Sequence, residues 1–281
     1  MRLDPFNLPE RLNLAQVFLH AQAQAHPQRP ALYFEGQVIT YGQLADATHR
    51  ASAVFRGLGL EWEQRVLLML PDVPQFASAW LGTVEAGGVV SAVNPGLKPD
   101  EVRYYLNYTR AKLVVTDSET AAIIESVRAQ CPHLDHVLVA GGNAGAHLDY
   151  DAELSRTTPD GVIADTHSED LSTWLYTSGS TGFPKGAVHK HRDFIFNALT
   201  YGLPVVGYAA NDVCLSVPRL AFGYALGSNL LFPLLAGGAT VLFKEKPTPE
   251  KFFELLKTHR PTMLTAVPTA LNGILNAPGL K

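Results

Sequence analysis

The sequence predicts an α/β protein in which mostly parallel sheet is flanked by helices. Three observations lead there. Short apolar runs such as 65–70, 89–93, 112–116 and 136–140 alternate with longer segments whose apolar residues recur at helical spacing. The junctions carry helix-boundary chemistry: Thr40 with Gln43 three residues on, and Pro99 followed by Asp100 and Glu101, where the macrodipole favours anions. Gly or Pro punctuates the connections. Alternation of this kind requires parallel strands joined by crossover helices.

Taken in order, residues 12–26 place Leu12, Leu14, Ala15, Val17, Phe18 and Leu19 at helical spacing, and Pro27 ends the helix. Residues 31–34 and 38–40 flank Glu35-Gly36, a hairpin signal, and Thr40 opens a helix running to about residue 56, closed by Gly57 and Gly59. Strand 65–70, helix 73–85, strand 89–93, helix 99–109, strand 112–116, helix 119–130 and strand 136–140 follow. Residues 141–170 are polar with weak apolar pattern and read as a surface connection. Beyond them come strands 171–177 and about 186–189, helix 194–203, strand 213–216, helix 224–235, strand 239–243, a helix from Thr248-Pro249-Glu250 to near His259, strand 262–265 and helix 268–276.

A chain of 281 residues with 47% hydrophobic and 17% charged residues and net charge −4 can bury a large core. No basic stripe points to nucleic acid. Cys131 and Cys214 stand far apart without partners at metal spacing, as expected of reduced thiols in a cytoplasmic protein. Asp4, Pro5, Pro9 and Glu10 interrupt the start, so no signal peptide is expected. Residues 220–243 lack charge, but Gly223, Gly227, Asn229, Pro233, Gly237 and Gly238 break the run; a buried segment and substrate wall are expected, not membrane insertion.

Residues 176–186, YTSGSTGFPKG, carry the chemistry. Gly179, Gly182 and Gly186 allow the backbone to approach a ligand, Thr177, Ser178, Ser180 and Thr181 add hydroxyl donors, and Lys185 adds a positive charge beyond the rigid Pro184. That is an inventory for oligophosphate. A Walker loop needs its lysine between glycine and Ser/Thr, whereas Lys185 stands between Pro184 and Gly186; the dinucleotide fingerprint lacks its first glycine. The loop is therefore expected to join two strands.

YTSGSTGFPKG resembles, along its whole length, the signature loop of the acyl-adenylate-forming superfamily of acyl- and aryl-CoA synthetases, peptide-synthetase adenylation domains and beetle luciferases. The resemblance implies two similar α/β subdomains, here 1–170 and 171–281, and a reaction in which Mg²⁺-ATP and a carboxylate give acyl-AMP and coenzyme A then takes the acyl group. It also implies catalytic roles for Lys185, Thr177 and Thr181, and ATP binding by Thr177, Ser178, Gly179, Ser180, Thr181, Gly182 and Lys185.

In that family the strand after the signature helix leads into the acid pocket, here 217–227, VPRLAFGYALG. Gly223 stands where peptide synthetases usually place an aspartate, so the segment favours a flat uncharged acyl group over a zwitterion. Phe222-Gly223-Tyr224 is similar to benzoate-type CoA ligases and implies substrate contacts for all three, with Gly223 expected to leave room for a ring substituent. The alternative for Phe222 and Tyr224 is ordinary core packing. Val267-Pro268-Thr269 is a weaker likeness to a segment beside the pocket. His189 and His191, spaced i, i+2, make no metal site; His191 is expected at a helix start or in packing. No metal ligands are expected in the chain.

Members of the family continue past this point with an adenine-binding segment, a ribose-binding aspartate, a hinge and a small C-terminal domain that carries a further lysine. Glu250 and Glu254, on an amphipathic helix, cannot replace these. The polypeptide is thus expected to be the front part of an aryl-CoA ligase acting on a small aromatic carboxylate, inactive alone. Loading of a carrier protein by a related adenylating enzyme, a non-catalytic nucleotide-binding remnant, and assembly as a homodimer remain open at this point.

Overall fold

The computed structural model describes residues 3–177 and 182–277. A helix with π geometry at Gln16–His20 continues as α1 (Ala21–Ala25), followed by β1 (Pro30–Phe34), β2 (Gln37–Thr40) and α2 (Tyr41–Gly57). Next come β3 (Arg65–Met69), α3 (Pro74–Glu85), β4 (Val89–Ala92), α4 (Pro99–Thr109), β5 (Leu113–Thr116), α5 (Ser118–Val127), β6 (His136–Val139), β7 (Leu148–Asp149) and α6 (Tyr150–Arg156). The last stretch holds β8 (Leu171–Thr177), β9 (Lys185–Lys190), α7 (His191–Asn197), β10 (Val213–Ser216), α8 (Gly223–Leu226), α9 (Phe232–Ala236), β11 (Ala239–Leu242), α10 (Pro249–His259), β12 (Met263–Thr265) and α11 (Pro268–Leu275).

Two sheets result, ordered β7-β6-β5-β3-β4-β8-β9 and β12-β10-β11-β1-β2. Each is parallel apart from one edge hairpin, β8/β9 in the first and β1/β2 in the second. Strand membership cuts across residue 170: β1 pairs with β11, and β8 with β4. Each sheet therefore draws strands from both sides of the expected 1–170/171–281 division, because each edge hairpin joins the parallel strands of the other part.

The period-two alternation of the strands divides the core into layers. In β3, Val66 and Leu68 join one large cluster, which also takes Leu32, Cys214 and Leu242 from the second sheet, whereas Leu67 and Met69 face a separate cluster under α4 and α5. The other face of the second sheet packs Leu215, Val241 and Phe243 on Phe252 and Leu255 of α10. Helices α2, α3 and α9 thus lie between the sheets, with α4, α5 and α10 outside. The close approach of α2 to α3 depends on Gly82, where a Cβ would lie 2.7 Å from Ala51 Cβ. Cys131 and Cys214 are buried free thiols.

The connection expected over 141–170 is more structured than its polarity implied. Asp149 caps α6 by accepting the Ala152 N–H, and Tyr150 is buried with its hydroxyl 2.9 Å from Ser78 Oγ. The helix expected over 194–203 begins three residues earlier and runs on through Val206 in π geometry, the wider turn accommodating Pro204, which has no N–H to give. No helix among the described residues is long and apolar enough to cross a membrane.

One buried polar tie joins three helical segments. Glu85 accepts from His20 Nε2 at 2.6 Å and from His49 Nδ1 at 2.7 Å, and the two rings stack 4.2 Å apart. Burial pushes the Glu85 carboxyl up, and the two histidines more than reverse this, leaving it below the ordinary carboxylate range. Those separations are hydrogen-bond lengths, and the group ties the three segments together.

Candidate active site

The hairpin β8/β9 sets the geometry of the site. Its register places Thr177 opposite Lys185 and Tyr176 opposite Gly186, so the first loop hydroxyl and the lysine, eight positions apart in sequence, form the last cross-strand pair. Residues 178–184 stand between them in the sequence. Gly182 has φ +113, a conformation closed to most side chains. Ser178, Gly179, Ser180 and Thr181, to which phosphate contacts were assigned, lie outside the described residues.

Charge pairing separates Lys185 from the cations that follow it. Lys190 and Arg192 both bind Glu169, whose carboxyl they hold well below the usual range. Among the described residues no carboxylate pairs with Lys185, which is exposed at the hairpin mouth. His191 begins α7 fully buried, and its Nδ1 accepts the Leu14 N–H at 3.1 Å, so the ring proton sits on Nε2. Burial pushes its pKa down to about 4 against the opposing charge of Asp170. It packs and anchors the start of α7.

Two residues before Thr177, Leu175 lines a cavity of about 560 Å³ between the sheets, within the usual range for a small-molecule site. Gly223, Tyr224, Gly227 and Ser228 form one wall, Met263, Leu264 and Thr265 of β12 another, and His189, Asp193, Phe194, Asn197 and Tyr201 the face opposite. The wall at Ser228 is fully engaged: Ser228 Oγ donates to Tyr224 O and accepts from Thr265 Oγ1, and Tyr208 donates to Ser228 O. Tyr224 is 59% exposed at the cavity rim.

Two sequence expectations change here. Phe222 is not among the cavity-lining residues; it stands before α8, half-exposed, as the helix N-cap. The room expected beside Gly223 is already filled, since a Cβ there would lie 2.7 Å from Leu175 Cδ1. Gly223 therefore lets Leu175 pack against the segment.

The structure also brings in groups that sequence reasoning did not assign to the pocket. Asp193, Asn197 and Tyr201 recur every four residues, a spacing that could have shown one helical face, and His189, near the end of β9, brings its Nδ1 to 3.4 Å from Asp193 Oδ2. The carboxylate that 217–227 lacks thus enters the cavity from α7. Asp72, in the turn after β3, is buried and accepts the Leu220 N–H at 3.0 Å. Arg219 lies 3.8 Å from Asp72, donates to the carbonyls of Phe243, Lys244 and Glu245, and sits 4.7 Å over the Phe243 ring. Burial pushes Asp72 up to about 6 despite Arg219 and the Leu220 N–H. An aspartate and an arginine inside otherwise apolar segments were the available signal for this pair, which holds the pocket segment between the sheets.

A hydroxyl-rich hairpin mouth with one unpaired lysine, set beside an acid-sized cavity, has a counterpart among known families. The profile described as AMP-binding enzyme matches residues 19–281. The chain belongs to that family. It is 35% identical over 273 residues to the benzoate–CoA ligase of Thauera aromatica, covering 96% of this chain and 51% of that protein. It is also 35% identical over 240 residues to a 4-hydroxybenzoate–CoA/benzoate–CoA ligase of Rhodopseudomonas palustris, covering 85% and 44%. Among solved structures, an anthranilate CoA ligase in complex with anthranoyl-AMP superposes with a TM-score of 0.93 at 26% identity, over 99% of this chain and 54% of that one. A benzoate CoA ligase from Burkholderia xenovorans LB400 gives 0.86 at 29%, over 96% and 53%. The chain spans about half the length of the curated relatives it matches.

Proposed function

We propose that this chain supplies the ATP-gripping and acid-binding half of an aryl-CoA ligase of the benzoate type. The observation that carries the reading is the continuity of β8: Leu175 lines the cavity and Thr177, two residues on, opens the phosphate loop opposite Lys185. An acid seated in the cavity would present its carboxylate toward that mouth.

In the first step a carboxylate oxygen attacks the α-phosphorus of Mg²⁺-ATP and the bond to pyrophosphate breaks. Lys185 and the Thr177 hydroxyl stabilise the charge that builds on the departing pyrophosphate, with the metal arriving as part of the nucleotide substrate. In the second step the coenzyme A sulfur attacks the acyl carbon and AMP leaves. The chemistry needs alignment and charge stabilisation more than proton transfer. The cavity's polar edge, His189, Asp193 and Asn197, fits a benzoate carrying a hydroxyl or amino donor.

The test is carboxylate-dependent ATP–pyrophosphate exchange and hydroxamate trapping. Both would use the chain alone and the chain joined to the C-terminal half of the Thauera aromatica ligase. Benzoate, 4-hydroxybenzoate, anthranilate and a fatty acid are the substrates, with free coenzyme A and a phosphopantetheine protein as acceptors. Exchange with the aromatic acids and a coenzyme A thioester support the reading; exchange with fatty acid only, or transfer to the carrier protein only, overturns it.

A further inference from the structure

Lys185 sits on an edge strand beside a glycine, a poor place to hold a long cationic side chain in one direction. Its backbone is nevertheless gripped from both sides by α4. Tyr104 donates its hydroxyl proton to Pro184 O at 2.7 Å, and Tyr108 Oη accepts the Gly186 N–H at 3.2 Å. Pro184 O belongs to the peptide unit before the Lys185 Cα and Gly186 N to the one after it. The two hydroxyls thus hold the two peptide planes whose relative rotation defines φ and ψ of Lys185.

The rest of the contact is aromatic. Tyr104 stacks on Phe183 with centroids 4.7 Å apart and planes 20° apart, and on Tyr108 at 5.3 Å and 15°. Tyr108 meets Trp174 of β8 edge-on at 5.8 Å. Gly186 makes the approach feasible, because a Cβ there would lie 3.2 Å from Trp174 Cε3 and 3.5 Å from Tyr108 Cε1. Residues one helical turn apart on α4 share a face, which is why one helix can supply both hydroxyls. Neither hydroxyl is needed for folding in any evident way: Phe183 and Tyr108 are exposed at 67% and 40%, and an edge-strand N–H can turn to water.

We infer that Tyr104 and Tyr108 are positioning residues for Lys185, setting its backbone before an oligophosphate arrives so that binding spends less on ordering the lysine. The inference rests on the phosphate-loop reading above. Preorganisation of this kind raises affinity for the part of the ligand that the lysine touches and for nothing else.

The experiment measures Kd for inorganic tripolyphosphate with Mg²⁺ by calorimetry on this chain as it stands. The proteins are wild type, Tyr104→Phe, Tyr108→Phe, the double variant, Lys185→Ala, and the double variant combined with Lys185→Ala. Phenylalanine keeps every ring contact, so folding is preserved, and thermal melting checks this. A net hydrogen-bond contribution of ordinary size gives about fivefold weaker tripolyphosphate binding per hydroxyl removed, and no further loss from the tyrosine changes once Lys185 is gone. Trypsin should also cut the Lys185–Gly186 bond faster in the double variant. If the wild type binds tripolyphosphate and the double variant binds it equally, or if the tyrosine effects persist undiminished without Lys185, the positioning role is wrong and the loop reading stands. If the wild type binds no tripolyphosphate, both fall together.

Discussion

Each sheet ends in an antiparallel hairpin that runs straight into a helix, and the two hairpins are built to opposite requirements. β1 and β2 are closed by Glu35 and Gly36 alone, both left-handed at φ +46 and +77, a tight turn of matching twist. β8 and β9 part at Thr177 and Lys185 with residues 178–184 between them. The following helices begin alike: Gln43 accepts the Thr40 N–H at the start of α2, and Asp193 accepts the Lys190 N–H at the start of α7. What differs is the source of rigidity. The first hairpin closes through its own tight turn and cap, although β11 and Lys244 also hold it; the second has no such turn and leans on distant parts of the chain, on Tyr104 and Tyr108 of α4 and on Leu14, whose N–H meets His191. With seven residues between its strands in place of a two-residue turn, the second hairpin draws its stiffness from packing.

Six substitutions test that contrast, from the largest effect down. Lys185→Ala should lower benzoate-dependent ATP–pyrophosphate exchange in the joined protein about 100-fold, with a smaller effect on thioester formation from supplied acyl-AMP, whereas Gln37→Ala at the mouth of the other hairpin should change neither. The reverse ordering of the two half-reactions would remove Lys185 from this role.

Acid should act on the second hairpin through His191. Its folded pKa of about 4 lies below the ordinary 6.5, so between those values the unfolded chain binds more protons and stability falls as pH falls. The shift corresponds to about 3 kcal/mol, fully expressed below pH 4 and absent above 6.5. Urea melts of wild type and His191→Gln across this window check it; identical pH slopes would contradict the assignment.

Gly186→Val adds branches where a Cβ alone lies 3.2 Å from Trp174, and should cost about 2 kcal/mol in chemical denaturation. Gly36→Ala, with nothing within 4 Å but a positive φ, should cost about 1 kcal/mol. Thr40→Ala removes the α2 cap for a similar or smaller loss and should leave ligand binding untouched. Equal costs at Gly186 and Gly36 would erase the distinction between imported and local rigidity.

Local chemistry was the legible part of this fold. The Glu35-Gly36 turn, the Thr40–Gln43 capping box and the two strands on either side of residues 178–184 depend on neighbours in sequence, and all could be read from it. The exchange of edge hairpins between sheets could not, because β1 pairing with β11 rather than with β3 is decided by packing across more than 200 residues. The same limit applied at the site. Leu175 filling the space beside Gly223, and Asp72 holding Leu220, are contacts between segments with no shared periodicity. That Phe222 stands as the N-cap of α8, outside the lining of the cavity, was equally illegible, because an aromatic beside the pocket tyrosine gives no sign of where a helix begins.

The proposed function pairs an oligophosphate grip with an aromatic-acid cavity along one strand. ATP–pyrophosphate exchange by the joined protein, with and without benzoate, measures that pairing directly. Exchange that requires benzoate and is lost in Lys185→Ala is the predicted result. Exchange indifferent to both would contradict it.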